Sequence, residues 1–244
     1  YTFRSLNSII ASLNQAKEQF PKIDYDIIVV DYNSKEEDLN QIKKQLDKSN
    51  LKNSLISLNL NEFKKNINKI NAKNENVTEN QISNMANIHK SLLIAKDQCK
   101  DLIYFVEDDY LHFKYSLEEM VGTYERIASQ LEKDLIICPT DYPFLYMDNE
   151  KTNLLIGNKR HWRTTNKTLC TLMTSKEIIN KYWHNFYQNC LDRHDPFEKY
   201  LNQIYEKEIC ISPIKSLSIH ITNINSSYGL SPFIDYKSLW EENS

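Results

Sequence analysis

The stretch Asp101-Leu-Ile-Tyr-Phe-Val-Glu-Asp-Asp-Tyr-Leu-His112 sets an apolar run directly against three acidic residues, Glu107, Asp108 and Asp109. The run from Leu102 to Val106 reads as a buried strand. Three adjacent carboxylates repel one another, so a strand that ends on them needs a cation or full solvation there. A hard divalent ion takes oxygen ligands, and Mg²⁺ commonly binds one or two carboxylates plus substrate phosphates. Glu107 and Asp109 share a side if the extended geometry continues. An acidic triplet alone also reads as a solvated turn, so its context decides.

Working outward, the chain alternates strands with helices. Asp24-Tyr-Asp-Ile-Ile-Val-Val-Asp-Tyr-Asn-Ser34 is a second β-branched run closed by Asp31, Asn33 and Ser34. Helical spacing marks residues 5–20, with apolar positions at Leu6, Ile9, Ile10, Leu13 and Ala16 before Pro21. Lys35–Asp47 reads as a helix with Ser34 as N-cap, and Ser54–Leu60 as a short strand. Residues 61–80 are rich in Asn and Lys and read as a polar loop or irregular helix. Asn80–Cys99 and Ser116–Lys133 read as helices, and Asp134–Pro139 as a strand. This alternation predicts an α/β fold with a mainly parallel sheet covered on both faces. Ligands of such sheets bind outside the carboxyl ends of the strands. Asp31 and the Glu107–Asp109 triplet both stand at such ends.

Beyond about Asp148 the pattern changes. Residues 154–174 suggest a hairpin or irregular strands around a cationic turn of Lys159, Arg160, His161 and Arg163. Arginine forks suit phosphate, and Trp162 offers a flat apolar face; a solvated basic turn reads the same way. Two helices follow, then a final strand in Ile211–Asn223 and a tail carrying aromatics. No repeat and no linker interrupts the chain, so residues 1–244 read as a single domain.

Composition excludes several classes. With 244 residues the chain is long enough for a sizeable core. A formal net charge of -3 gives no basic stripe for nucleic acid. Three glycines leave no Gly-rich phosphate loop. Five cysteines without a CxxC pair favour neither a zinc site nor a disulfide framework, which points to a reducing compartment. The sequons at Asn76, Asn166 and Asn225 read as chance matches in an Asn-rich chain. No apolar run approaches a membrane span. The sequence opens at Tyr1 without a secretory h-region, and an element ahead of it is expected. The expected location is cytoplasmic, with peripheral association at the inner face of the membrane compatible with it.

Asp-Ile-Ile-Val-Val-Asp-Tyr-Asn-Ser, followed some seventy residues later by Asp-Leu-Ile-Tyr-Phe-Val-Glu-Asp-Asp-Tyr-Leu-His, resembles the GT-A glycosyltransferases, in particular the inverting family 2 group. Asn84–Gln98 is similar to the helix before the acidic motif in that family. The resemblance covers the first half, so residues 1–112 would hold the nucleotide-sugar and 113–244 the acceptor. It implies a first strand ahead of this sequence. Asp31, Asn33 and Asp108 would contact the nucleotide, with Arg160 and Arg163 at the diphosphate. Glu107 and Asp109 would occupy the outer positions of a DXD-type motif holding Mn²⁺ or Mg²⁺. His220 would be a further ligand, since imidazole suits Mn²⁺ better; the plain alternative is a strand histidine.

The resemblance also implies an acidic general base, for which Asp195 is the candidate and Asp192 the substitute. Asp195-Pro-Phe-Glu198 equally reads as a capping box with Asp195 as N-cap. The implied activity is sugar transfer from a nucleotide-sugar to a glycan or other hydroxyl acceptor, with inversion, as in surface polysaccharide synthesis. A nucleotidyltransferase could use the same acidic strand ends, and a non-catalytic sugar-binding module of a larger assembly is the third reading.

Overall fold

The first helix, α1 (Thr2–Gln19), turns an unusual polar stripe inward: Ser5, Ser8 and Ser12 are buried alongside Leu6, Ile9 and Ala16. The stripe works by hydrogen bonding. Ser5 Oγ donates to the Tyr110 carbonyl at 2.6 Å, Ser8 Oγ accepts from the His112 amide at 3.0 Å, and Ser12 Oγ accepts from the Leu117 amide at 2.8 Å. Buried backbone groups need such partners. Three hydroxyls therefore fix the short strand after the acidic triplet and the start of the helix that follows it.

The computed structural model describes residues 1–147, 149–231 and 233–244. After α1 come β1 (Asp26–Asp31), α2 (Glu36–Lys48), β2 (Lys52–Ser57), a short α3 (Leu60–Phe63) and α4 (Glu79–Gln98). Helix α4 opens on a full capping box, Thr78 with Gln81. Next are β3 (Leu102–Phe105), β4 (Tyr110–His112), α5 (Ser116–Leu131) and β5 (Leu135–Ile137). The remainder holds β6 (Leu154–Ile156), β7 (His161–Thr164), β8 (Leu172–Ser175), α6 (Lys176–Lys181), α7 (Trp183–Leu191), α8 (Lys199–Tyr205), β9 (Ile209–Pro213), β10 (Ser218–His220) and α9 (Tyr236–Glu242).

The architecture is α/β, with helices flanking a six-stranded sheet of order β3-β8-β5-β9-β7-β6. The expectation of a mainly parallel sheet is corrected: the sheet is mixed. Of its neighbouring strands only β5 and β9 pair in parallel, while β8 lies antiparallel between β3 and β5 and β7 antiparallel between β9 and β6. Periodicity reports burial and carries no strand direction, which is why the sequence misled here. β1 and β2 form a separate parallel pair, and β4 pairs antiparallel with β10. The run Ile211–Asn223, expected as one strand, is two strands in two sheets. The chain bends between them at Lys215, whose φ is 73°.

Leu135, Ile136 and Ile137 of β5 are 0 % exposed, at the centre of the core. Strands β1 and β3 contrast with that: most of their apolar residues are only half-buried. Ile27 and Val29 of β1, with Leu102 and Tyr104 of β3, join the cluster built on α1, α2 and α5. Among the described residues β1 pairs only with β2, and β3 only with β8, so each keeps one open edge. The described residues contain no helix long and apolar enough to cross a membrane.

Candidate functional site

Strand β3 delivers the acidic triplet and β4 holds it. The Glu107 amide donates to Thr171 Oγ1 at 3.2 Å, and that hydroxyl lies 3.4 Å from Glu107 Oε2. Burial, and then the charge of Asp109, push the Glu107 carboxyl up to about 7. Asp108 points the other way and accepts from Thr2 Oγ1 at 2.8 Å, at the start of α1.

Asp109 is where distant parts of the chain meet. Its Oδ2 accepts from His220 Nε2 at 2.8 Å and from Thr222 Oγ1 at 2.5 Å. Burial alone would raise its pKa, but the hydrogen bonds from His220 and Thr222 outweigh that and hold it below the usual carboxylate range. The β4–β10 pairing explains the approach, because His220 stands directly opposite Tyr110. The Tyr110 ring stacks on the His220 ring with centroids 4.7 Å apart. Asn223 Nδ2 lies 3.3 Å from each ring nitrogen of His220, at the edge of the same cluster.

Among the described residues no three His, Cys, Asp or Glu side chains gather closely enough to enclose an ion by themselves. The donors present nonetheless fit a partial shell: one ionised carboxylate, one imidazole and one hydroxyl converge at Asp109 Oδ2, with Glu107 two residues away. Mg²⁺ takes one or two carboxylates and draws its other ligands from water and phosphate, and imidazole shifts the preference towards Mn²⁺.

The capping box in Asp195-Pro-Phe-Glu198, the alternative to Asp195 as a base, does not form. Helix α8 starts later, at Lys199, with Glu198 as the residue before it and no side-chain cap. Asp195 turns outward, with its side chain 67 % exposed and paired with Lys73. That hydrogen bond and charge lower the Asp195 pKa. Asp192 accepts from Tyr200 Oη at 3.0 Å. Glu198 turns inward instead. Its Oε1 lies 3.9 Å from Cys170 Sγ, next in sequence to the Thr171 that holds Glu107. Burial raises its pKa, and its charge acts on Glu107. Tertiary burial has thus claimed Glu198 ahead of a local cap.

The cationic turn is engaged within the fold. Lys159 pairs with Glu118, Arg160 donates to the Lys215 carbonyl and lies 5.1 Å over the Tyr115 ring, and Arg163 forms a buried pair with Asp141. A phosphate role for Arg160 or Arg163 would require leaving these partners. Trp162 is fully buried and donates Nε1–H to Glu119 at 3.1 Å, so no sugar ring reaches it. At the end of β1, Asp31 accepts from Ser34 N at 3.3 Å and Ser34 Oγ at 2.5 Å, closing a turn with Asn33 at φ 62°. Ser34 therefore does not cap α2, whose N-cap is Lys35.

Sequence reasoning missed Glu198, Thr171 and Thr222. Thr222 had a signal, since it follows His220 by two and shares its side in an extended chain. Thr171 and Glu198 had none. Compared with protein-family models, with curated proteins and with solved structures, the chain matches none.

Proposed function

We propose that the chain is a metal-dependent glycosyltransferase of GT-A type, moving a sugar from a nucleotide-sugar to an acceptor hydroxyl. The observation that carries this reading is the meeting of Asp109 with His220, 111 positions away in sequence, beyond the end of β3. Asp109 and His220 would hold Mn²⁺ or Mg²⁺, with Glu107 beside them. Such an ion, when bound, neutralises a diphosphate leaving group.

Glu198 replaces Asp195 as the proposed base, because it is the inward-facing carboxylate while Asp195 is exposed and paired with Lys73. The acceptor O–H gives its proton to Glu198 as its oxygen bonds the anomeric carbon. The bond from that carbon to the diphosphate oxygen breaks, and the nucleoside diphosphate departs. Burial that raises Glu198 makes its carboxylate the stronger proton acceptor. Asp31, Asn33 and Asp108 remain the proposed nucleotide contacts. His220 belongs to the second half of the chain, so the donor site draws on both halves.

The test is a panel of UDP-, GDP-, CDP- and dTDP-sugars with Mn²⁺, followed by release of nucleoside diphosphate. Release from one nucleotide class, abolished by EDTA and by Asp109→Ala, is expected. Absence of release or binding across the panel overturns the reading.

A further inference from the structure

Strands β1 and β3 flank a slot between two layers of helices. On one side Ile27 and Val29 of β1 join the same apolar cluster as Leu102 and Tyr104 of β3, over α1, α2 and α5. On the other side α4 serves both strands. Leu93 shares a cluster with Val30, and Leu92 shares one with Ile103 and Phe105. Leu92 and Leu93 are neighbours on one helix, whose overall diameter is about 10–12 Å. Adjacent strands of a sheet stand about 4.8 Å apart. One helix thus bridges about two strand spacings, which is room for a single strand between β1 and β3.

The backbone gives the slot two facing edges. The Asp31 carbonyl bonds the Leu58 amide, so Asp31 and Val29 turn their backbone groups towards β2, and Val30 and Ile28 turn theirs to the open side. The Asp101 carbonyl bonds the Lys176 amide, so Asp101, Ile103 and Phe105 face β8, and Leu102 and Tyr104 face the open side. Two of these open-side carbonyls are met by side chains of the α4 layer. Asn87 Nδ2 donates to Val30 O at 3.0 Å, and Cys99 Sγ to Leu102 O at 3.0 Å.

The direction and chemistry of an occupant follow. β3 doubles back along α4, and Asn87 in the first half of α4 holds the carboxyl end of β1, so β1 and β3 run the same way. Helix α1 begins beside the carboxyl end of β3, where Thr2 Oγ1 donates to Asp108 at 2.8 Å. A strand parallel to both neighbours would end at that point and pass straight into α1. Parallel strands need a crossover of a dozen or more residues, usually a helix, and α1 with its 18 residues supplies one on the way to β1. Both faces of the slot are apolar, which suits an uninterrupted β-branched run.

We propose that the slot takes up an extended β-branched segment joined to Tyr1, parallel to β1 and β3, which merges the β1–β2 ribbon and the six-stranded sheet into one. Backbone and packing alone define the slot, so it stands apart from the glycosyltransferase reading. The test is amide hydrogen exchange on the 244-residue chain, on the chain with Lys-Thr-Ile-Val-Val-Ile-Val-Asn-Ser fused ahead of Tyr1, and on a fusion with prolines at the fourth and sixth positions of that segment. The same two segments are also added as separate peptides to the unextended chain. The amides of Ile28, Val30, Leu102 and Tyr104 are expected to exchange about 100-fold more slowly in the first fusion, as for amides drawn into a sheet. The proline fusion should leave them unchanged. The separate strand peptide should slow them about tenfold at millimolar concentration, and its proline version should not.

Unchanged exchange in the first fusion, or equal slowing by both fusions, overturns the proposal. If the fusion does not fold, the separate peptides decide: slowing by the strand peptide alone upholds the slot, and no slowing overturns it. Slowing in the unextended chain that grows with protein concentration also overturns it, because the edges then belong to a second copy.

Discussion

Strands β1 and β3 carry the same sequence signature, an apolar run closed by acid, and their ends differ in kind. Beyond β1, among the described residues, the Asp31 carboxylate bonds only Ser34, three residues on. Beyond β3, Glu107 reaches Thr171 across 64 positions and Asp109 reaches His220 across 111. The first acid closes its own turn; the second group exists only because the whole chain has folded. The same contrast separates Asp195, exposed and paired with Lys73, from Glu198, turned inward beside Cys170. Where a carboxylate's partners come from thus separates a local turn from a tertiary cluster, which the run that precedes it does not.

The largest effect is expected where this contrast meets chemistry. Glu198→Gln should lower sugar transfer by about 10²-fold or more, the usual scale for a general base, with donor binding kept. Asp195→Asn should turn over near the wild-type rate. The reverse result, in single-turnover assays of both variants, would return the base to Asp195. Next comes affinity. Asp109→Ala should weaken Mn²⁺-dependent nucleoside diphosphate binding by about 100-fold, since even outer-shell partners of a metal cost 10–100-fold. Asp31→Ala should change it far less. Calorimetric titrations that fall equally for both would erase the distinction between the two strand ends.

Stability gives a smaller and pH-dependent contrast. The Glu107 pKa is about 7 in the fold against an ordinary 4.5. Between those values the folded chain keeps a proton that the unfolded chain has shed, so stability falls as pH rises through that window and the loss is complete above it. Glu107→Gln should therefore unfold at higher denaturant than wild type at alkaline pH, by up to about 3 kcal/mol, and match it in acid. His112 acts with the opposite sign. Burial holds it neutral, lowering its pKa from 6.5 to about 3, so its contribution is lost as pH falls below 6.5. From 4.5 to 6.5 the two slopes cancel, and urea melts across pH should show a plateau there for these two groups. At the small end, Asp31→Ala should cost less than about 1 kcal/mol, the scale of one exposed turn hydrogen bond. A loss several times larger would mean that Asp31 organises more than its turn.

Much of the helix and strand content was legible because burial is periodic: Ile27–Val30, Leu102–Phe105 and the α5 face all stand out in the sequence. Strand direction was not, and antiparallel β8 between β3 and β5 is the result. Asp109 and His220 could be named from a resemblance, but their contact depends on β4–β10 register, which no local pattern records. The cationic turn misled for a similar reason. Nothing near Arg163 announces that Asp141, 22 positions earlier, will be buried against it. Asp195-Pro-Phe-Glu198 satisfied every local rule for a cap, and the fold drew Glu198 elsewhere.

The unpaired edges of β1 and β3 divide the molecule mechanically. A two-stranded ribbon is marginal by itself, so β1 and β2 depend on α1, α2 and α4 for their order. Local opening should begin there, while β5, enclosed on every side, opens only with the whole chain. The open edges are also templates onto which another extended chain can add. Asp31 rides on the β1–β2 ribbon and Asp109 stands at the start of the β4–β10 pair, so a breathing motion between the two would vary the width of the proposed nucleotide site while the Asp109–His220 contact moves with its own pair.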